Sequence, residues 1–141
     1  QPDFLFDLLA AAEKQSIHRC VETSGFGNTD VILKIADKVD LFLWDIKDTD
    51  DERYKKNTGG TLKKVLNNLT AVDEDGTKTI IRYLLLPGIN NNREHYRRVT
   101  EIYKRLKNCL GIEVVQYNPL GEAKYERLGR TRTFNHLQHK G

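Results

Sequence analysis

Two periodicities alternate four times along this chain, and that alternation limits what it can fold into. "PDFLFDLLAAAEKQSI" brings Phe4, Leu5, Leu8, Leu9 and Ala12 onto one helical stripe, with Pro2 suited to a first turn. A short strand follows over Arg19 to Glu22, stopped by Thr23-Ser24-Gly25. "TDVILKIADKV" is helical, with Val31, Ile32, Ile35, Ala36 and Val39 inward and Thr29 as the expected N-cap. Leu41 to Asp45 is the second strand. "DDERYKKNTGG" holds a short helical turn and a break, and the next helix aligns Leu62, Val65, Leu66 and Leu69. After a "DEDG" turn, "TKTIIRYLLLPG" is a third strand. Tyr96, Val99, Ile102, Tyr103 and Leu106 mark a helix, and "GIEVVQYNPLG" is the last strand. "EAKYERLG" suits one short helix.

Nearly continuous apolar strands alternating with helices indicate a parallel sheet covered by helices. Two architectures satisfy this: an open doubly wound sheet, or part of a (β/α) barrel. In both, ligands gather at the C-terminal ends of the strands. Those ends are Glu22 to Gly25, Asp45 to Asp48, Arg82 through Gly88, and Tyr117-Asn118-Pro119. Arg82 discriminates between the two. A guanidinium in mid-strand needs a polar cavity or carboxylate partners, because burying it alone is prohibitive. A doubly wound sheet offers it apolar helices on both faces, whereas a barrel offers a lumen shared with Glu22, Asp45 and Lys47. The expected fold is therefore α/β, a partial (β/α) TIM-like barrel of about four parallel strands with helices outside.

Composition narrows the function. The chain has 141 residues, a formal charge of +3, 38% hydrophobic and 30% charged residues, which suits one domain with a charged surface. No apolar stretch approaches a membrane span, and no signal-peptide pattern opens the chain, so the expectation is a cytoplasmic protein without a membrane partner. The basic runs "REHYRR" and "RLGRTRTFNHLQHKG" lack interleaved aromatics, which argues against nucleic acid. Residues 130–141 are read as a basic tail. Cys20 and Cys109 have neither disulfide-framework nor metal-ligand spacing and read as small buried apolar residues. His18, His95, His136 and His139 have no ligand spacing and read as surface residues. Trp44 reads as packing.

Four blocks taken in order carry a resemblance: "QPDFLFDLLAAAEKQSIHRCVETSGF", "DLFLWDIKDTDDERYKKNTG", "KTIIRYLLLPGINN" and "YNPLGEAKYERLG". Together they resemble the glycyl-radical-enzyme activating enzymes, nearest the pyruvate formate-lyase activating type, of the radical S-adenosylmethionine superfamily. The likeness runs to about Gly129. It implies that residues 1–129 are the C-terminal part of a radical-SAM partial barrel, beginning after the family's C-x3-C-x2-C cluster motif and Gly-Gly-Glu-Pro block. The cluster cysteines are then not in this chain, since Cys20 and Cys109 do not match them.

Residue by residue, Asp45, Ile46 and Lys47 match the family's Asp-Leu-Lys segment, which lines the S-adenosylmethionine site. Arg82 matches an arginine pointing into the barrel. Asn118 stands where pyruvate formate-lyase activators often carry a histidine that contacts the cofactor; an amide cannot take over a titrating role. Glu22 and Thr23 match an Asp-Thr pair that, with Asp45 and the Leu43 carbonyl, resembles a monovalent-cation site; Glu replaces Asp here. The implied cofactors are S-adenosylmethionine and a [4Fe-4S] cluster. Reductive cleavage to a 5′-deoxyadenosyl radical would generate a glycyl radical on a partner such as pyruvate formate-lyase, with a flavodoxin or ferredoxin-type electron donor. The chain alone is expected to be inactive.

Two other readings stand beside this one. The chain could be a self-contained doubly wound nucleotide-binding or signalling module without catalysis, or a non-catalytic surface that docks a glycyl-radical enzyme.

Overall fold

The computed structural model describes residues 1–118 and 122–130. The elements run α1 (Pro2–Lys14), β1 (Cys20–Thr23), α2 (Thr29–Ala36), β2 (Leu41–Ile46), α3 (Asp51–Thr58), α4 (Leu62–Glu74), β3 (Thr79–Leu85), α5 (Arg93–Arg105), β4 (Cys109–Gln116) and α6 (Glu122–Arg127). All strand pairs are parallel, and their spatial order is β1-β2-β3-β4. A doubly wound sheet would reverse that order at a switch point. Sequential parallel strands form an arc of a (β/α) barrel, and the burial pattern agrees. Phe42, Trp44 and Ile46 pair in register with Thr79, Ile81 and Tyr83, and all six are buried. The alternate positions, Leu43, Asp45, Ile80, Arg82 and Leu84, are only half-buried and face the other side. No described helix is long and apolar enough to cross a membrane.

Several local features depart from the periodicity for physical reasons. Asn28, not Thr29, caps α2: its Oδ1 accepts from the Val31 N–H at 3.2 Å. The Thr29 hydroxyl is instead donated to Asn68 Oδ1 at 2.7 Å. In α1 only Leu9 is buried and Leu5 partly so; Phe4 and Leu8 stay exposed. The expected turn after β2 is an eight-residue helix, capped by Asp50 and ended by Gly59 in the left-handed region. α4 runs on through Asp73 because that carboxylate is buried and accepts from the backbone N–H groups of Lys107 and Asn108 at 2.7–3.0 Å.

Two surface assignments reverse. His95 is fully buried and Tyr96 is the more exposed, so the inward stripe of α5 starts one residue earlier than expected. The cause is polar: His95 Nδ1 lies 2.7 Å from Thr49 Oγ1, and its ring stands edge-on to Tyr83 at 5.4 Å. Cys20 is exposed, because it starts an edge strand and shares the helix-free face with Leu41; Cys109 is half-buried against the core. Trp44 is packing, as expected: it is fully buried and edge-on to Phe42 at 5.8 Å. The tail 131–141, with His136 and His139, and Pro119 to Gly121 of the "YNPLG" block lie outside the described residues.

Candidate functional site

The C-terminal ends of the strands bring together residues that lie far apart in sequence. Glu22 of β1, Asp45 of β2, Lys47 just after β2 and Arg82 of β3 line one cavity of about 130 Å³ on the helix-free face, backed by Leu84 and Val115. A larger, open depression of about 680 Å³ lies at the N-terminal edge, near His18, Asp40, Gly76 and Leu110. Its lining holds Asp37, Asp40 and Asp75 with Lys78 and His18, but none of the described ion pairs joins these residues to one another. The neighbouring contacts at that edge hold structure: Arg19 grips Asp40 through Nε and Nη2 at 3.0 and 2.8 Å, and Asp73 ties down the chain before β4. In parallel β/α folds that edge serves stability and the opposite one serves ligands.

Arg82 is the centre of the cluster. Its Nη1 lies 2.6 Å from Glu22 Oε2 and 3.9 Å from Asp45 Oδ1, and its Nε lies 2.9 Å from Glu113 Oε2. The Glu113 contact is an ion pair without hydrogen-bond alignment. Burial pulls the Arg82 pKa down, but contact with Glu22 and the charges of Asp45 and Glu113 outweigh it and leave it raised. Lys47 Nζ is 2.6 Å from Asp45 Oδ2. Such partly exposed pairs add little to stability, so their consequence is orientation. Three carboxylates against two cations leave the mouth with one net negative charge.

The other site candidates are placed as follows. Ile46 lines the cavity while its side chain is fully buried in the core, so it contributes main chain. Thr23 pairs with Trp44, on the face opposite Glu22, and its Oγ1 accepts from the Gly25 N–H at 3.0 Å. Leu43 lies within β2 between Glu22 and Ile80. Asn118 is exposed just past β4 and is not among the lining residues of the cavity. The cation between Glu22 and Asp45 in this structure is the Arg82 guanidinium.

Sequence reasoning missed Glu113. Alternation counted from Cys109 puts residue 113 on the helix side. The register shifts between Thr79 and Ile81, which pair with Cys109 and Ile112, so Leu110 and Gly111 together oppose Ile80. That extra residue brings Glu113 opposite Arg82. An acidic residue next to an apolar pair in "GIEVV" was the available signal.

Buried polar groups hold the surrounding loops. Asn68 donates to the carbonyls of Gly25 and Gly27 at 2.7 and 3.2 Å. Asn90 accepts from the Leu86 N–H at 2.6 Å and donates to the Leu84 carbonyl at 2.8 Å, fixing the turn after β3. Behind Lys47, Asp48 is gripped by Arg53 Nε and Nη2, each at 2.9 Å. Burial raises the Asp48 pKa, but Arg53 and two backbone N–H groups outweigh it and hold it below the usual range. Arg98 donates to the Thr49 carbonyl at 2.8 Å.

Comparison with known proteins extends the description from the site to the whole chain. No protein-family model matches the chain. It is 38% identical over 130 residues to a pyruvate formate-lyase-activating enzyme of Clostridium pasteurianum, covering 91% of this chain and 53% of that protein. It is 36% identical to a choline trimethylamine-lyase activating enzyme of Oleidesulfovibrio alaskensis, covering 92% and 43%. In sequence the chain is similar to this group of activating enzymes. It spans about half the length of the curated relatives it matches. Among solved structures it is similar to a domain of a pyruvate-formate lyase-activating enzyme from Bacteroides vulgatus, with a TM-score of 0.77, 23% identity, and 91% and 83% of the two chains covered. It also resembles Streptococcus suis SuiB bound to S-adenosylmethionine, with a TM-score of 0.64 and 14% identity, over 88% of this chain and 30% of SuiB. These structural likenesses agree with a partial (β/α) barrel fold.

Proposed function

We propose that this chain provides the S-adenosylmethionine-holding strand ends of an activating enzyme that generates a glycyl radical on a partner enzyme such as pyruvate formate-lyase. The observation that carries the reading is the charge balance of the cavity. S-adenosylmethionine carries a sulfonium, an ammonium and a carboxylate, one net positive charge, and the cluster around Arg82 carries one net negative charge. Among the described residues the lining includes no hydroxyl, thiol or imidazole, which suits positioning rather than acid–base or nucleophilic work. When bound, S-adenosylmethionine would supply radical chemistry: one electron from the donor would break its C5′–S bond, releasing methionine and a 5′-deoxyadenosyl radical able to take a hydrogen atom from the partner's glycine.

The roles of the residues follow from their chemistry. Asp45 and Glu22 attract the ammonium and sulfonium, Lys47 and Arg82 suit the carboxylate and ribose hydroxyls, and Ile46 offers main-chain groups. Asn118, at the end of β4, suits an amide contact with the same ligand. A monovalent cation held by Glu22, Asp45 and the main chain of Thr23 and Leu43 requires Arg82 Nη1 to release Glu22. A [4Fe-4S] cluster does not fit these residues. There are two cysteines, at the starts of the two outer strands, and the described residues hold no group of three or more metal-ligating side chains. On this reading its ligands come from residues outside these 141. A cytoplasmic, anaerobic setting and a flavodoxin or ferredoxin-type donor complete the proposal.

The test is electron paramagnetic resonance on the full-length protein, reconstituted anaerobically and incubated with S-adenosylmethionine, a reductant and pyruvate formate-lyase or another glycyl-radical enzyme. A glycyl-radical signal on the partner is expected, and Lys47→Ala should diminish it. Cleavage of S-adenosylmethionine with no radical on any such partner would overturn the activating role.

A further inference from the structure

We infer that Glu113 is a positioning residue for Arg82, brought to the lumen by the bulge at Leu110-Gly111; the inference rests on the reading of this cavity as the S-adenosylmethionine site. Arg82 has a long side chain with many rotamers, and its tip reaches across β2 to Glu22. A guanidinium held only at its tip could still rotate about that contact. Glu113 restrains it with a second, electrostatic contact. It stands directly opposite Arg82 in the β3–β4 register, and its Oε2 lies 2.9 Å from Nε, at the base of the guanidinium. With Nη1 2.6 Å from Glu22 and Nε 2.9 Å from Glu113, the guanidinium lies between carboxylates of β1 and β4.

The bulge is what makes this contact possible. Cys109 pairs with Thr79 and packs against the core, so uninterrupted alternation would aim residue 113 toward the helices. Two residues opposing Ile80 reverse the facing of the rest of β4, so Glu113 and Val115 join the lumen beside Arg82 and Leu84. Bulges commonly re-aim a side chain next to a functional site. Glu113 is more than half exposed and its exposed pairing adds little to folding, so its removal should leave the fold intact.

The experiment is a double-mutant cycle in the full-length reconstituted protein, measuring the dissociation constant of S-adenosylmethionine anaerobically for wild type, Glu113→Ala, Arg82→Ala and the pair. Glu113→Gln is the isosteric control, with thermal melting recorded for all. Glu113→Ala should weaken binding about tenfold, and Glu113→Gln should weaken it less. In the Arg82→Ala background Glu113→Ala should have almost no further effect, because Glu113 acts only through Arg82. Wild-type affinity in Glu113→Ala, with Arg82→Ala weakened, overturns the positioning role alone. The same holds if the Glu113 effect persists in full without Arg82. Wild-type affinity in Arg82→Ala overturns the site reading and the inference with it.

Discussion

Gly25 is the position where one added carbon should do the most measurable harm. It lies two residues past β1 with φ at +66°, a conformation that a side chain disfavours. A Cβ built there would sit 1.9 Å from Trp44 Cζ2, 2.5 Å from Cε2 and 2.7 Å from Cη2. Neither partner can yield easily. Trp44 is fully buried and edge-on to Phe42, and the Gly25 carbonyl is held by Asn68 Nδ2 at 2.7 Å. A left-handed non-glycine residue costs roughly 1–2 kcal/mol, and overpacking a close-packed core adds about 1–3 kcal/mol. Gly25→Ala should therefore lower the unfolding free energy by roughly 2–5 kcal/mol, a large share of a typical domain's stability. The assay is urea unfolding of the full-length protein followed by far-UV circular dichroism, a signal that does not depend on Trp44, the side chain under study. Trp44→Phe removes the distal edge of the indole, so in that background Gly25→Ala should cost only the conformational part, about 1–2 kcal/mol. A Gly25→Ala protein within about 0.5 kcal/mol of wild type, or strictly additive mutations, would refute the packing argument.

Two further predictions concern the loops. Burial lowers the His95 pKa; Asp48 raises it, and Arg53 and Arg98 lower it, so the folded state binds a proton less readily than the unfolded chain. The stability that neutral His95 contributes is complete above the ordinary value near 6.5 and is lost as pH falls below it. Unfolding free energies at about pH 7.5 and about pH 5.5 should differ less for His95→Gln than for wild type, and equal differences would contradict this. Asp73→Ala removes the acceptor for the N–H groups before β4 and should cost roughly 2–3 kcal/mol. A cost below about 0.5 kcal/mol in the same unfolding assay would show that water replaces it.

The architecture was legible because the apolar runs at Leu41–Trp44 and Ile80–Leu86 admit a buried parallel sheet and little else. Arg82 was legible for a different reason: a charge within such a run demands partners, and the barrel supplied Glu22 and Asp45 at the distances quoted above. What could not be read depends on contacts between distant segments. His95 looked like a surface residue because its burial is set by Thr49, 46 positions away, and by a neighbouring strand's tyrosine. Thr29 looked like a cap because nothing local reveals that Asn68 takes its hydroxyl. Glu113 was hidden by a one-residue change of register, which flips every later side chain of a strand. Thr23 shows the same period-2 rule from the other side: adjacent to Glu22 in sequence, it points away from it in space.

The most direct test of the account is the affinity of the full-length reconstituted protein for S-adenosylmethionine with and without Asp45. Asp45 binds Lys47 at 2.6 Å and stands 3.9 Å from Arg82, so it belongs to both halves of the cluster. The account predicts that Asp45→Ala weakens binding by at least about tenfold while the melting temperature stays near that of wild type. Unchanged affinity in a folded Asp45→Ala protein would contradict it.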